Sequence, residues 1–170
     1  MLKVYLAQAM TGLDSNQVYY KAIRSVEKFM SKGILVISPV IEEGIQPYTG
    51  NIDAGVKLRY YWKRDKEFIR QCFCVVDLDA DLKSEGVSHE VLYGRYCLWR
   101  PVVRISLRHS TGYFSVASLE DDIIVGNIEE AIEKINELWG TWSKRRKWQL
   151  KMYSRCLLKW IYLHLKGLMI

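Results

Sequence analysis

The chain is short of the residues that announce several common chemistries, and each shortage removes a class of function. Its four cysteines, Cys72, Cys74, Cys97 and Cys156, form no CxxC pair and no repeated spacing, so neither a zinc ribbon nor a disulfide framework fits. Histidine occurs three times. His89-Glu90 opens like a zinc-protease helix, but HEVLY carries Tyr93 where the second metal ligand has to stand. No metal and no cofactor is expected. Gln8–Gly12 has too few glycines for a phosphate-binding P-loop or a GxGxxG dinucleotide fingerprint. No uninterrupted apolar stretch is long enough to span a bilayer, and Met1–Ala7 is too short a run for a signal peptide. Reduced thiols and a cytoplasmic location are the expectation. Internal repeats and low-complexity linkers are also missing.

What is present is a chain of 170 residues, 49% apolar and 26% charged, enough for one domain with a hydrophobic core. The net charge of +6 is unevenly placed. From Trp139 onward there is no acidic residue, but eight basic ones: Lys144, Arg145, Arg146, Lys147, Lys151, Arg155, Lys159 and Lys166. Without them, 17 basic residues face 19 acidic ones, a net of −2. The expected organisation is a mildly acidic domain over 1–138 and a basic amphipathic extension over 139–170.

Short β-branched and aromatic runs alternate with longer helical patterns. Lys3–Ala7, Ile34–Ser38, Cys74–Leu78 and Val102–Ser106 read as buried strands. Ser15–Lys32 places Val18, Ala22, Val26, Phe29 and Met30 at helical spacing, and Gly33 follows as a C-terminal cap. Val56–Gln71 and Val87–Leu98 read as further helices, and Asn127 caps another over Ile128–Leu138. This alternation predicts an α/β fold, a Rossmann-like three-layer sandwich with a mostly parallel sheet. Ligands in such folds bind beyond the carboxyl ends of the strands. That directs attention to Gln8–Asp14, Asp79–Glu90 and Ser106–Gly112.

Within the second of these, Ser84-Glu85-Gly86-Val87-Ser88-His89-Glu90 follows a strand and opens a helix, where backbone N–H groups form a potential anion site. Gly86 would let the chain turn sharply and approach a ligand. Glu90 shares the helix face of Val87, Val91 and Gly94, so its carboxylate is aimed inward. The plain alternative is a first-turn acid complementing the helix dipole. Asp77, Asp79 and Asp81 alternate after a strand and read as a solvated loop edge, with a cation site as the alternative.

Tyr5 in the first strand, Asp65 in Arg64-Asp65-Lys66, and Ser84-x-Gly86-Val87-x-x-Glu90-x-x-x-Gly94 together resemble the nucleoside 2-deoxyribosyltransferase superfamily. The pattern is most similar to 2'-deoxynucleoside 5'-phosphate N-hydrolases and related pyrimidine-nucleotide N-glycosidases, over roughly Lys3 to Ile105. The resemblance implies that Glu90 attacks the anomeric carbon and Tyr5 orients its carboxylate. Asp65 would serve the base or sugar side, and Ser84 would hold the 5'-phosphate or 5'-hydroxyl. It also implies substrate contacts from Gly86 and from the loop Gln8, Ala9, Met10, Thr11 and Gly12. Family hydrolases carry a hydroxyl and an arginine in this loop, where Ala9 and Thr11 stand here; Phe73 replaces an acid before the third strand. Transferases of the family show an acid at the position of Ser84, which points here to hydrolysis of a nucleoside 5'-monophosphate.

The resemblance further implies a homodimer, with a partner copy completing each site from residues between Ser106 and Ser118. The alternatives are a base-exchanging deoxyribosyltransferase, a non-catalytic nucleotide-binding protein, or a protein led to membrane or nucleic acid by its tail. In that tail Leu157, Leu158, Ile161, Leu165 and Leu168 fit one helical face flanked by basic residues. Packing of that face on the body or on a second subunit competes with membrane or nucleic-acid contact.

Overall fold

The structure, a computed structural model, describes residues 1–10, 13–43, 54–82, 84–107 and 123–144. The chain divides into two compact units, Met1–Ile135 and Asn136–Ile170. Five parallel strands are present among the described residues: β1 (Lys3–Ala7), β2 (Leu35–Ile37), β3 (Cys74–Asp77), β4 (Val102–Ile105) and β5 (Ile123–Val125). Their order in the sheet is β2-β1-β3-β4-β5. The helices are α1 (Ser15–Ser31), α2 (Pro39–Glu43), α3 (Ala54–Arg70), α4 (Glu85–Leu92) and α5, residues 128–144. A π-helical turn, Tyr93–Cys97, continues α4.

The expected α/β fold is met, and the connections explain its layers. The chain leaves β1 in one direction to reach β2 and returns across β1 to reach β3. Right-handed crossovers therefore put α1 on one face and α3 on the other, and α4 joins α3 because β3 to β4 continues the same way. The order reverses between β1 and β3, so the crevice of an open α/β sheet opens there.

Local chemistry sets the ends of the helices. Asp14 caps α1 by accepting from the Gln17 N–H at 2.9 Å. Gly33, at φ 74°, closes its other end: the Gly33 N–H bonds to the Met30 carbonyl and the Ile34 N–H to the Phe29 carbonyl. That is a Schellman arrangement, which needs the left-handed backbone that glycine adopts at little cost. Asn127 and Glu130 cap α5 reciprocally, the Glu130 N–H donating to Asn127 Oδ1 at 2.9 Å and Asn127 Nδ2 donating to Glu130 Oε1 at 2.7 Å.

Three expectations need correction. Neither β5 nor α2 was expected: each is too short to show a period, and neither was marked, as β2 was within Ile34–Ser38, by a longer run that reads as a strand. Cys72 and Cys74 lie two apart in an apolar run, a spacing that predicts one side of a strand, but they do not share one. β3 begins only at Cys74; Cys72 joins the cluster of Tyr5 and Val75, whereas Cys74, next to Val75 in the strand, faces the opposite way. Burial pushes the Cys72 thiol up to about 12 and raises Cys74 as well, so both are inert core residues. The third concerns Asp77, Asp79 and Asp81, which form neither a solvated edge nor a metal cluster among the described residues. Asp77 pairs with Arg104 at 3.2 Å. Asp79 accepts from the Ala9 N–H at 3.1 Å and pairs with Lys21. Asp81 takes the Ser106 hydroxyl at 2.6 Å and the Leu107 N–H at 2.8 Å. Each staples the end of β3 to a neighbouring segment.

Candidate active site

Strand alternation decides which side chains meet at the crevice. The parallel register matches Tyr5 with Val75, Val75 with Val102, Ala7 with Asp77, and Asp77 with Arg104. These residues share one face, and α3 and α4 cover it through Ile69, Val87 and Val91. Gly94 lets the helix settle closely. A Cβ there would lie 2.6 Å from Val75 Cγ2, well inside contact distance.

That close approach brings Glu90 over β1. The Tyr5 hydroxyl donates to Glu90 Oε1 at 2.8 Å. Tyr5 is fully buried and Glu90 half-buried, so the carboxylate keeps a route to the crevice while its partner does not. Burial pushes the Glu90 carboxyl up to about 8; the Tyr5 hydrogen bond opposes this, the charges of Asp65 and Asp77 add to it, and Arg64 opposes it. Burial and the Glu90 charge hold the Tyr5 phenol well above its ordinary value, so it remains a donor. Asp65 arrives from α3, buried and pinned by Arg64, whose Nε and second terminal nitrogen reach Asp65 Oδ1 at 3.1 and 2.7 Å. Arg64 is itself stacked on Tyr61 and Phe68, 5.1 and 5.5 Å from the ring centroids.

The structure therefore gathers Tyr5, Asp65 and Glu90 at one place. Ser84 stands at the head of α4, where its Oγ accepts from the Val87 N–H at 3.4 Å while its carbonyl takes the Ser88 hydroxyl. Gly86 lies in the first turn of α4 and needs no left-handed backbone. The expected sharp turn is absent, yet the space above it is open: a Cβ would meet only Ser84 Oγ, at 3.9 Å. Gln8 is buried with its amide donating to the Val18 carbonyl at 3.0 Å, toward α1. Ala9 is buried, and Met10 packs against the cluster of Val18, Ala22 and Val40. Thr11 and Gly12 lie outside the described residues, as does the stretch after Leu107 where a partner contribution was expected.

Sequence reasoning assigned no role to Arg64 or to the Asp77–Arg104 pair. One signal was available: an acid in CVVD and a base in VVRI, in strands otherwise apolar, invite a cross-strand ion pair.

Fold and site together define a flavodoxin-ordered α/β protein with a tyrosine-held carboxylate at its topological switch point. The chain belongs to the family described as Domain of unknown function (DUF4406), whose model matches residues 2–102 and so includes Tyr5, Asp65, Ser84 and Glu90. No curated protein matches it. Solved structures are similar to it. A 2-deoxyribosyltransferase from the psychrotolerant bacterium Bacillus psychrosaccharolyticus is 20% identical with a TM-score of 0.55, over 76% of this chain and 90% of that one. A conserved protein from Enterococcus faecalis V583 is 18% identical with a TM-score of 0.57, over 81% and 98%. The CMP N-glycosidase BcmB of Clostridium botulinum is 15% identical with a TM-score of 0.45, over 79% and 98%. The expected resemblance to the nucleoside 2-deoxyribosyltransferase superfamily is met in the fold. No helix among the described residues is long and apolar enough to cross a membrane.

Proposed function

We propose that this chain is an N-glycosidase that hydrolyses the base–sugar bond of a nucleoside 5'-monophosphate through a covalent glycosyl-Glu90 intermediate. The observation that carries the reading is the Tyr5–Glu90 hydrogen bond of 2.8 Å beside the Arg64-pinned Asp65. Tyr5 holds Oε1, so Oε2 is the oxygen presented to the anomeric carbon. As the C1'–N bond breaks, positive charge develops on the sugar, and an adjacent carboxylate stabilises and then captures it. The bonding pair goes to the base nitrogen, which takes a proton as it departs. Asp65 fixes the sugar or passes that proton. Water then attacks C1' and gives up a proton that replaces the one the base took, while the ester to Glu90 breaks and the carboxylate is regenerated.

Ser84 lies six residues before Glu90, about 9 Å along the helix axis. A sugar and its 5'-phosphate can bridge that span, and the Ser84 hydroxyl with the N–H groups of the first turn suits an anion. Completion of the site by a second copy of the chain belongs to the same reading.

The fold shared with a 2-deoxyribosyltransferase favours one other outcome, base exchange. Incubation with a panel of nucleosides and their 5'-monophosphates, with and without an excess of a second free base, separates the two by chromatography. Free base and sugar phosphate are the expected products. Exchanged nucleoside as the main product replaces hydrolysis by transfer, and absence of base release from every member overturns both.

A further inference from the structure

Two Asp–Arg pairs lie on the side of the sheet where Tyr5 holds Glu90. One is Asp65–Arg64 of α3, and the other is Asp77–Arg104 of β3 and β4. The second is the more unusual. Asp77 and Arg104 are opposite one another in register, both are almost wholly buried, and both stand on the face of Tyr5 and Val75 that α4 covers. The Asp77 carboxylate cannot turn: Oδ1 accepts the Asp79 N–H at 3.0 Å, and Oδ2 accepts Arg104 Nε at 3.2 Å.

Stability does not account for such a pair. Taking two charges out of water costs several kcal/mol, and apolar side chains of similar volume usually serve a core as well or better. Its strands supply the contrast, since their other residues here are Cys74, Val75, Val76, Val102, Val103 and Ile105. What the pair does provide is a carboxylate at a fixed place: burial raises the Asp77 carboxyl, and the Arg104 charge and the bonds to Arg104 and the Asp79 N–H oppose this and favour its ionised form. We propose that Asp77, clamped by Arg104, is a positioning residue for the reaction at Glu90, holding a negative charge on the side of the sheet where positive charge develops on the sugar.

The charged and titratable groups that act on Glu90 are Tyr5 from β1, Asp65 and Arg64 from α3, and Asp77 from β3, which is bonded to Arg104 of β4. Glu90 feels the Asp77 charge, in the direction that strengthens its hold on a proton. The same field that disfavours a second anion favours a cation, so the effect on an oxocarbenium-like transition state has the opposite sign and is favourable. This inference rests on the glycosidase reading, yet part of its test needs no substrate.

Asp77→Asn alone would leave Arg104 buried without its anion and endanger the fold. The informative variants remove both charges: Asp77→Asn/Arg104→Gln, which keeps a hydrogen-bonded pair, and Asp77→Leu/Arg104→Met, which replaces it by packing. Carboxyl-labelled glutamate followed by NMR, with the Glu90 resonance assigned from Glu90→Gln, reads its titration directly. The midpoint is expected to fall by about half a unit to one unit in both double variants. The acid limb of kcat/KM is expected to move with it, and kcat to fall about tenfold with KM little changed. An unshifted or raised midpoint in either folded double variant overturns the proposal, whether or not any substrate has been found. Loss of base release with an unmoved titration also overturns it, because a purely structural pair would behave so. A failed glycosidase reading would show instead as no base release from the unaltered chain, with the titration shift still present.

Discussion

The two faces of the central sheet use the same strands for different ends. On the α1 side Val4, Leu6, Cys74, Val76 and Val103 are buried hydrophobes. On the α3–α4 side the same strands set Tyr5, Asp77 and Arg104 among Ala7, Val75 and Val102, and the helices add Asp65 and Glu90. Every polar group on that second side costs desolvation, and each is answered by a partner: Tyr5 by Glu90, Asp65 by Arg64, Asp77 by Arg104. One face holds the fold together. The other spends part of that stability on a carboxyl that keeps its proton into the neutral range.

This contrast makes the faces separable by mutation, and the largest effect is expected at Glu90. Glu90→Gln keeps the shape of the side chain and removes the nucleophile, so the rate of base release should fall by about a thousandfold or more. Retained turnover in a folded variant would remove the chemistry from this face. The same substitution has a stability signature. The folded carboxyl titrates at about 8 against an ordinary 4.5, so the folded state binds the proton more tightly, and stability is lost as pH rises between those values. Melting temperatures measured from pH 5 to 8.5 should show a downward slope in the unaltered chain that Glu90→Gln flattens.

Leu6→Ala probes the opposite face. It should cost roughly 2–5 kcal/mol of stability by opening a cavity under α1. In denaturant melts the midpoint should drop, while the pH dependence of base release in the fraction still folded stays where it was. A moved acid limb would mean that the faces are not independent.

Tyr5→Phe is subtler. It removes the hydrogen bond that lowers the Glu90 carboxyl, so the acid limb of kcat/KM should move above about 8, and the rate at neutral pH should fall about ten- to a hundredfold. An acid limb that shifts downward would contradict the role given to the phenol. The smallest effect is expected for Ser84→Ala, about 0.5–1 kcal/mol from loss of a long cap bond. If Ser84 also meets the 5'-phosphate, the variant should raise KM for nucleotides and leave it unchanged for unphosphorylated nucleosides. Equal changes for both would leave Ser84 a cap only.

Residue order alone carried most of the element types, and the family resemblance of its motifs supplied the two acids and the phenol expected at the site, Glu90, Asp65 and Tyr5. The run KVYLA and the spacing Ser84-x-Gly86-x-x-x-Glu90 are local, and local patterns need no tertiary contact to be read. It also placed the inward aim of Glu90, because Val87, Val91 and Gly94 lie on one helical stripe. The three-residue β5 and the five-residue α2 lay below that limit, since their existence depends on neighbours.

The partners of the charges were invisible in the same way. Tyr5 and Glu90 stand 85 positions apart, and Asp77 and Arg104 stand 27 apart. Only the register of the sheet and the close approach of Gly94, just past α4, to Val75 bring them together. Gln8 shows the converse: a loop residue expected at the ligand turns its amide to α1. Which side chains a strand presents follows from a period of two, but what they face depends on strand order and crossover hand, and those are settled by packing the whole sheet at once.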